Sequence, residues 1–115
     1  MYFYQSETWL RMKNIFWTGY THQDRNMAIS ALKEIINLHG WIVDFKPLSD
    51  ISLTFVIEIA ESKIDSLFNM LKDNIVIGSF ELLNSNSERE RVIYLNITFT
   101  KGTGDLKIEV PAIPG

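Results

Sequence analysis

Ile51-Ser52-Leu53-Thr54-Phe55-Val56-Ile57-Glu58-Ile59 sets Ile51, Leu53, Phe55, Ile57 and Ile59 at strict period two. Successive side chains of a strand point to opposite faces, so this stretch reads as a strand with one apolar face. On its other side Ser52, Thr54 and Glu58 are polar, while Val56 is not. Upstream, Pro47-Leu48-Ser49-Asp50 has the composition of a turn. Before it, Trp41, Val43 and Phe45 alternate with Ile42, Asp44 and Lys46, which predicts a hairpin partner.

A helix is expected over residues 25–39. Ala28, Ala31, Leu32, Ile35 and Leu38 make one apolar stripe, and Ser30, Lys33, Glu34 and Asn37 a wet one. Asp24 is placed to cap its first turn. Gly40 reads as a left-handed stop, with Trp41 folding back on the last turn. Residues 13–21 form a strand with Ile15, Trp17 and Gly19 on one face and Phe16, Thr18 and Tyr20 on the other.

Downstream, Ser62 precedes Asp65 by three positions, a carboxylate form of the capping box, and Ile64, Leu67, Phe68 and Leu71 follow at helical spacing. Residues 75–83 are expected as a strand, 84–90 as a polar loop and 91–100 as another strand. Gly102-Thr103-Gly104 is a turn, and Leu106, Ile108 and Val110 suggest a short last strand.

The order is β-α-β-β-α-β with one or two extra C-terminal strands. This predicts an α+β, ferredoxin-like sandwich: an antiparallel sheet with two helices on one face. Residues 1–115 read as a single domain, with 1–12 an arm or edge strand, 13–82 the βαββαβ core, and 83–115 the extra strands and tail. Phe16, Tyr20, Val56, Val92 and Tyr94 fall opposite the helix side. So much apolar surface calls for a cover, either the extra strands and the aromatic arm or a second subunit, and of these a homodimer is the favoured expectation.

Composition narrows the function. The chain has 115 residues, 46% hydrophobic and 22% charged, which is the profile of a globular domain. It has no cysteine, so disulfides, thiolate metal sites and cysteine nucleophiles are excluded. Net charge is −3, and Arg89 and Arg91 alternate with Glu88 and Glu90. No basic face for nucleic acid is expected. Nor is a membrane span or a signal segment, so a cytoplasmic protein is expected.

Catalytic signatures are missing. His22 and His39 lie about 25 Å apart along a helix and share no metal. Asp44 and Glu58 approach each other across the hairpin, but Lys46 beside them makes a solvated ion pair the simpler reading. No nucleophile elbow and no phosphate loop occur. No catalytic residue, metal ligand or cofactor is assigned. The candidate ligand site is the turn Thr21, His22, Gln23, Asp24, Arg25 and Asn26. Every side chain there can hydrogen-bond, and a helix start favours an anion.

The run Ile15-Phe16-Trp17-Thr18-Gly19-Tyr20-Thr21-His22-Gln23-Asp24-Arg25, then a helix closing Leu38-His39-Gly40 and a strand Trp41-Ile42-Val43-Asp44, resembles the start of an ACT domain. The resemblance spans about residues 13–82. It implies a βαββαβ fold and a regulatory module binding an amino acid or other small carboxylate at a subunit interface. Where that family often has Pro-Gly after its Asp-Arg, this chain has Asn26 and Met27. Two other readings stand beside it. One is a protein-interaction or structural domain without a small ligand. The other is an enzyme of the dimeric α+β barrel type, with a pocket lined by Trp17, Phe55 and Tyr94.

Overall fold

A computed structural model describes residues 14–100. The elements are β1 (Asn14–Thr21), α1 (Arg25–His39), β2 (Gly40–Ser49), β3 (Ser52–Ala60), a single 3-10 turn (Glu61–Lys63), α2 (Ile64–Lys72), β4 (Val76–Ile77) and β5 (Glu90–Phe99). The expected arm 1–12 and the strand after Gly104 lie outside the described residues.

The fold is α+β, but the sheet is mixed rather than antiparallel. Its order is β2-β3-β5-β1-β4. β5 runs parallel to β1, from Asn14 opposite Val92 to Thr21 opposite Phe99, and antiparallel to β3. It is therefore wedged between β3 and β1, the two strands that the expected plan makes neighbours. A central position suits its apolar content, which does not by itself choose its neighbours. Ile93, Leu95, Ile97 and Phe99 are all buried, and an edge position would leave part of that row uncovered.

Alternation along the strands decides the faces. Ile15, Trp17 and Gly19 of β1, Leu53, Phe55, Ile57 and Ile59 of β3, and the buried row of β5 turn toward the helices. Ala28, Leu32, Ile35 and Ile36 of α1 and Ile64, Leu67, Phe68 and Leu71 of α2 close over them. Both helices thus cover one face, as expected. The α1 stripe is rotated from its expected position: Ile36 is fully buried, whereas Leu38 is 70% exposed.

Several local expectations change. Gly40 is extended (φ −158°, ψ −142°), not left-handed. What demands glycine there is space, since a Cβ would lie 2.4 Å from the Glu58 carbonyl oxygen. Trp41 does not fold back on α1; it pairs with Glu58 on the face away from the helices. A bulge at Val43 resets the alternation, so Ile42 and Phe45 both reach the core side. β2 also runs on through Pro47, an edge-strand position that proline tolerates, and the turn falls at Asp50 and Ile51.

The strand expected over 75–83 reduces to Val76–Ile77, after which the chain passes along α2 in an irregular segment. Phe80 of that segment meets Trp17 at 5.1 Å and Phe68 at 5.2 Å between ring centroids. Asp65 fastens the same segment. Its two carboxylate oxygens accept the Leu83 and Asn84 N–H groups, each at 2.8 Å. Asn84 sits at φ 51°, a region that asparagine tolerates better than most residues. Ser62 makes no cap; its hydroxyl donates to Glu88 at 2.9 Å.

Candidate functional site

The turn expected to bind a ligand spends most of its polar groups on itself. Thr21 is buried, and its hydroxyl accepts the Gln23 N–H at 3.1 Å. The Thr21 carbonyl accepts the Thr100 N–H at 3.0 Å, and the Thr100 hydroxyl donates to it at 3.1 Å. His22 Nδ1 lies 2.6 Å from that same hydroxyl, and its ring packs edge-on against Tyr20. Asp24 caps α1 by accepting the Met27 N–H at 3.3 Å. Arg25 lays its guanidinium over the Phe99 ring at 5.5 Å, with Nε buried and unpartnered. Gln23 and Asn26 are exposed, and Met27 stands 68% exposed beside the helix start. The six residues are together in space, as contiguity requires, but Thr21 and His22 are tied to Thr100 just past β5, Arg25 lies over Phe99 of β5, and Asp24 caps α1.

The pocket expected for the enzyme reading does not form. Trp17 and Phe55 point into the helix-covered core, while Tyr94 points out from the opposite face. Strand alternation alone separates them. Asp44 pairs with Lys46 at 3.6 Å on an exposed strand, and Glu58 lies opposite Trp41. His39 Nδ1 lies 2.9 Å from the Ile35 carbonyl, a local hydrogen bond in the last turn of α1. Among the described residues no group of three or more His, Cys, Asp or Glu could hold a metal ion. No described helix is long and apolar enough to cross a membrane.

The sharpest electrostatic feature serves the fold. Glu61 pairs with Arg91 and accepts the Ser85 hydroxyl at 2.9 Å. Burial pushes the Glu61 carboxyl up. The hydrogen bonds from Ser85 and Arg91 and the charges of Arg91 and Arg89 outweigh it, holding the group below its ordinary range. This cluster fastens the segment before β5 to the start of α2, where Ser62 N–H donates to the Ser87 carbonyl and Glu61 N–H to the Arg89 carbonyl.

Among the described residues, the other face of the sheet carries most of the exposed aromatic surface, although Val56 at its middle is already buried. The register sets four rows across the four long strands, the last of them Tyr20, Thr98, Ser52 and Ser49. Asn14, Val92, Glu58 and Trp41 form one row. Phe16, Tyr94, Val56 and Asp44 form the next, and Thr18, Asn96, Thr54 and Lys46 the third. Phe16 is 71% exposed and stacks on Tyr94, with centroids 5.1 Å apart and an 18° interplanar angle. Trp41 is 54% exposed at the β2 edge. In the third row the Asn96 amide donates to the Thr54 hydroxyl at 3.0 Å. Strand alternation alone places Phe16, Tyr20, Val56, Val92 and Tyr94 here. Trp41 was missed because a residue just past a helix-ending glycine has two places to go.

Comparison with family models, curated proteins and solved structures gives no match to this chain.

Proposed function

We propose that this chain is a non-catalytic interaction and regulatory module of the cytoplasm that works by association through the open face of its sheet. One observation carries the reading. The stacked pair of exposed Phe16 and half-buried Tyr94 lies on the face away from the helices, with Val56 next to Tyr94 and Trp41 beyond it at the β2 edge. Stacked aromatics on a rigid sheet are strong association elements, because they bring large apolar area at little conformational cost. A surface kept for a partner contributes little to the fold's own stability. Replacing Phe16 and Tyr94 together by Lys is therefore expected to change unfolding free energy by less than about 1 kcal/mol at submicromolar concentration. A loss above about 3 kcal/mol would place the pair among the fold's own supports and end the reading.

The small-ligand form of the module, resembling an ACT domain on a ferredoxin-like core, is the second reading. The buried, unpartnered Nε of Arg25 beside the start of α1 favours it. It predicts that a free amino acid or similar carboxylate binds at Thr21–Asn26 and that Arg25→Ala weakens binding without unfolding the chain. Calorimetry against a panel of free amino acids tests it, and absence of binding below millimolar concentration removes it.

A further inference from the structure

We infer that the partner on the open face is a second copy of this chain, the two sheets stacking about a twofold axis that crosses the strands at the level of Phe16, Tyr94 and Val56. The inference rests on the reading of that face as the working surface and adds its occupant and geometry.

The register favours one axis. A twofold axis lying between two stacked sheets and running across their strands places each strand over its own copy and reverses the rows. The row of Phe16, Tyr94 and Val56 then meets itself, so apolar surface covers apolar surface. The row of Glu58 and Trp41 meets the row of Thr54 and Lys46. Lys46 of one copy comes to lie opposite Trp41 of the second copy and one strand away from its Glu58. Both are favourable partners for an ammonium group, and symmetry repeats the match at the other end. Asp44 meets its own copy at the β2 edge, the one like-charge match. Each Asp44 already has Lys46 at 3.6 Å to offset it. An axis running along the strands instead lays β1 over β2, which puts Phe16 on Asp44 and desolvates a carboxylate against a ring.

The area agrees. Four strands at about 4.8 Å spacing and about 25 Å long give a footprint of about 500 Å² per copy. The pair thus buries about 1,000 Å², the lower bound for a specific interface. Aligned packing of twisted sheets at about −30° and about 10 Å apart accommodates side chains of this size.

The test is analytical ultracentrifugation of the full chain from about 1 to 200 μM, with Phe16→Asp alongside and circular dichroism to confirm its fold. Dimer is expected for the natural sequence, and a dissociation constant at least about 50-fold weaker for Phe16→Asp. Cysteine placement then tests the axis, because the chain has no cysteine of its own. Tyr94→Cys lies over itself and is expected to cross-link to a dimer with a bismaleimide spanning about 8 Å. Thr18→Cys lies over Asn14 of the second copy and is expected not to. A monomer at 200 μM overturns the second-copy inference while leaving the face to the double-lysine stability test. A dimer that tolerates Phe16→Asp overturns both. Cross-linking at Thr18 but not at Tyr94 overturns the axis.

Discussion

Gly19→Ala is the most informative single perturbation of the fold. Gly19 lies on the helix-side row of β1, opposite Ile77 of β4. A Cβ there would stand 2.6 Å from the Val76 carbonyl oxygen, 3.2 Å from Ile75 Cδ1 and 3.4 Å from Ile77 Cα. The first and last of these are backbone atoms and cannot rotate away, so β4 must leave β1. The pairings of Gly19 with Ile77 and Tyr20 with Val76 go with it, as does the 3.0 Å bond from the Gly78 N–H to the Thr18 carbonyl. Two to three backbone hydrogen bonds at about 1 kcal/mol each amount to about 2–3 kcal/mol. Loosening of the buried Ile75 adds to this, and the ordinary gain of about 0.5–1 kcal/mol for replacing a strand glycine subtracts from it. The expected net loss is about 2–3 kcal/mol by urea denaturation, or about 10 °C in Tm for a chain of this size. Gly78→Ala is the control. Its Cβ would meet only the Thr18 carbonyl oxygen, at an ordinary 3.7 Å, so stability is expected to hold or rise slightly. Equal effects from the two substitutions, or a gain from Gly19→Ala, would refute the steric reasoning.

Leu53→Ala and Leu67→Ala each truncate a fully buried side chain, and each is expected to cost about 2–5 kcal/mol by chemical denaturation; losses under about 1 kcal/mol would mean that the buried face is misplaced. Asp65→Ala removes the acceptor of two N–H groups and is expected to cost about 1–3 kcal/mol. It should also speed proteolysis within residues 78–89, and an unchanged cleavage pattern would show that the aromatic contacts of Phe80 suffice. Glu61 titrates below its ordinary range in the folded chain. Its contribution is therefore fully present above the unfolded value of about 4.3 and is lost as pH falls through the lower folded value. Denaturation of wild type and Glu61→Gln from pH 7 to pH 2.5 should show a gap that closes at the acid end, and a constant gap would assign the effect to packing.

Periodicity carried the faces of the sheet. The strict alternation of Leu53, Phe55, Ile57 and Ile59, and of Trp17 and Gly19 against Phe16 and Tyr20, places each residue on the side where it lies. The position of β5 was not readable this way, because a buried row such as Ile93-Leu95-Ile97 says that a strand is covered and not which strands flank it. Ser62 and Asp65 show a different limit. Their spacing satisfies a capping motif, yet the backbone N–H groups of Leu83 and Asn84, nearly twenty positions downstream, recruit the Asp65 carboxylate. At Thr21–Asn26 the residue types suggested a ligand site. Only the return of Thr100 and Phe99 alongside the turn reveals that most of their hydrogen-bonding capacity is used within the fold.

The placement of β5 has a consequence for how the chain comes to be folded. The last described strand in order of synthesis is the middle strand of the sheet. Until it arrives, β3 with β2 and β1 with β4 are separate ribbons, each with a bare inner edge. The segments that must meet are far apart in sequence, as the 78 positions between His22 and Thr100 show. Such closure is slow, and both waiting edges are templates for the wrong strand. A nascent chain halted before Glu90 is thus not a smaller version of this protein. It is two half-sheets without a keystone, open to chaperones and to its own kind until one ten-residue strand locks them together.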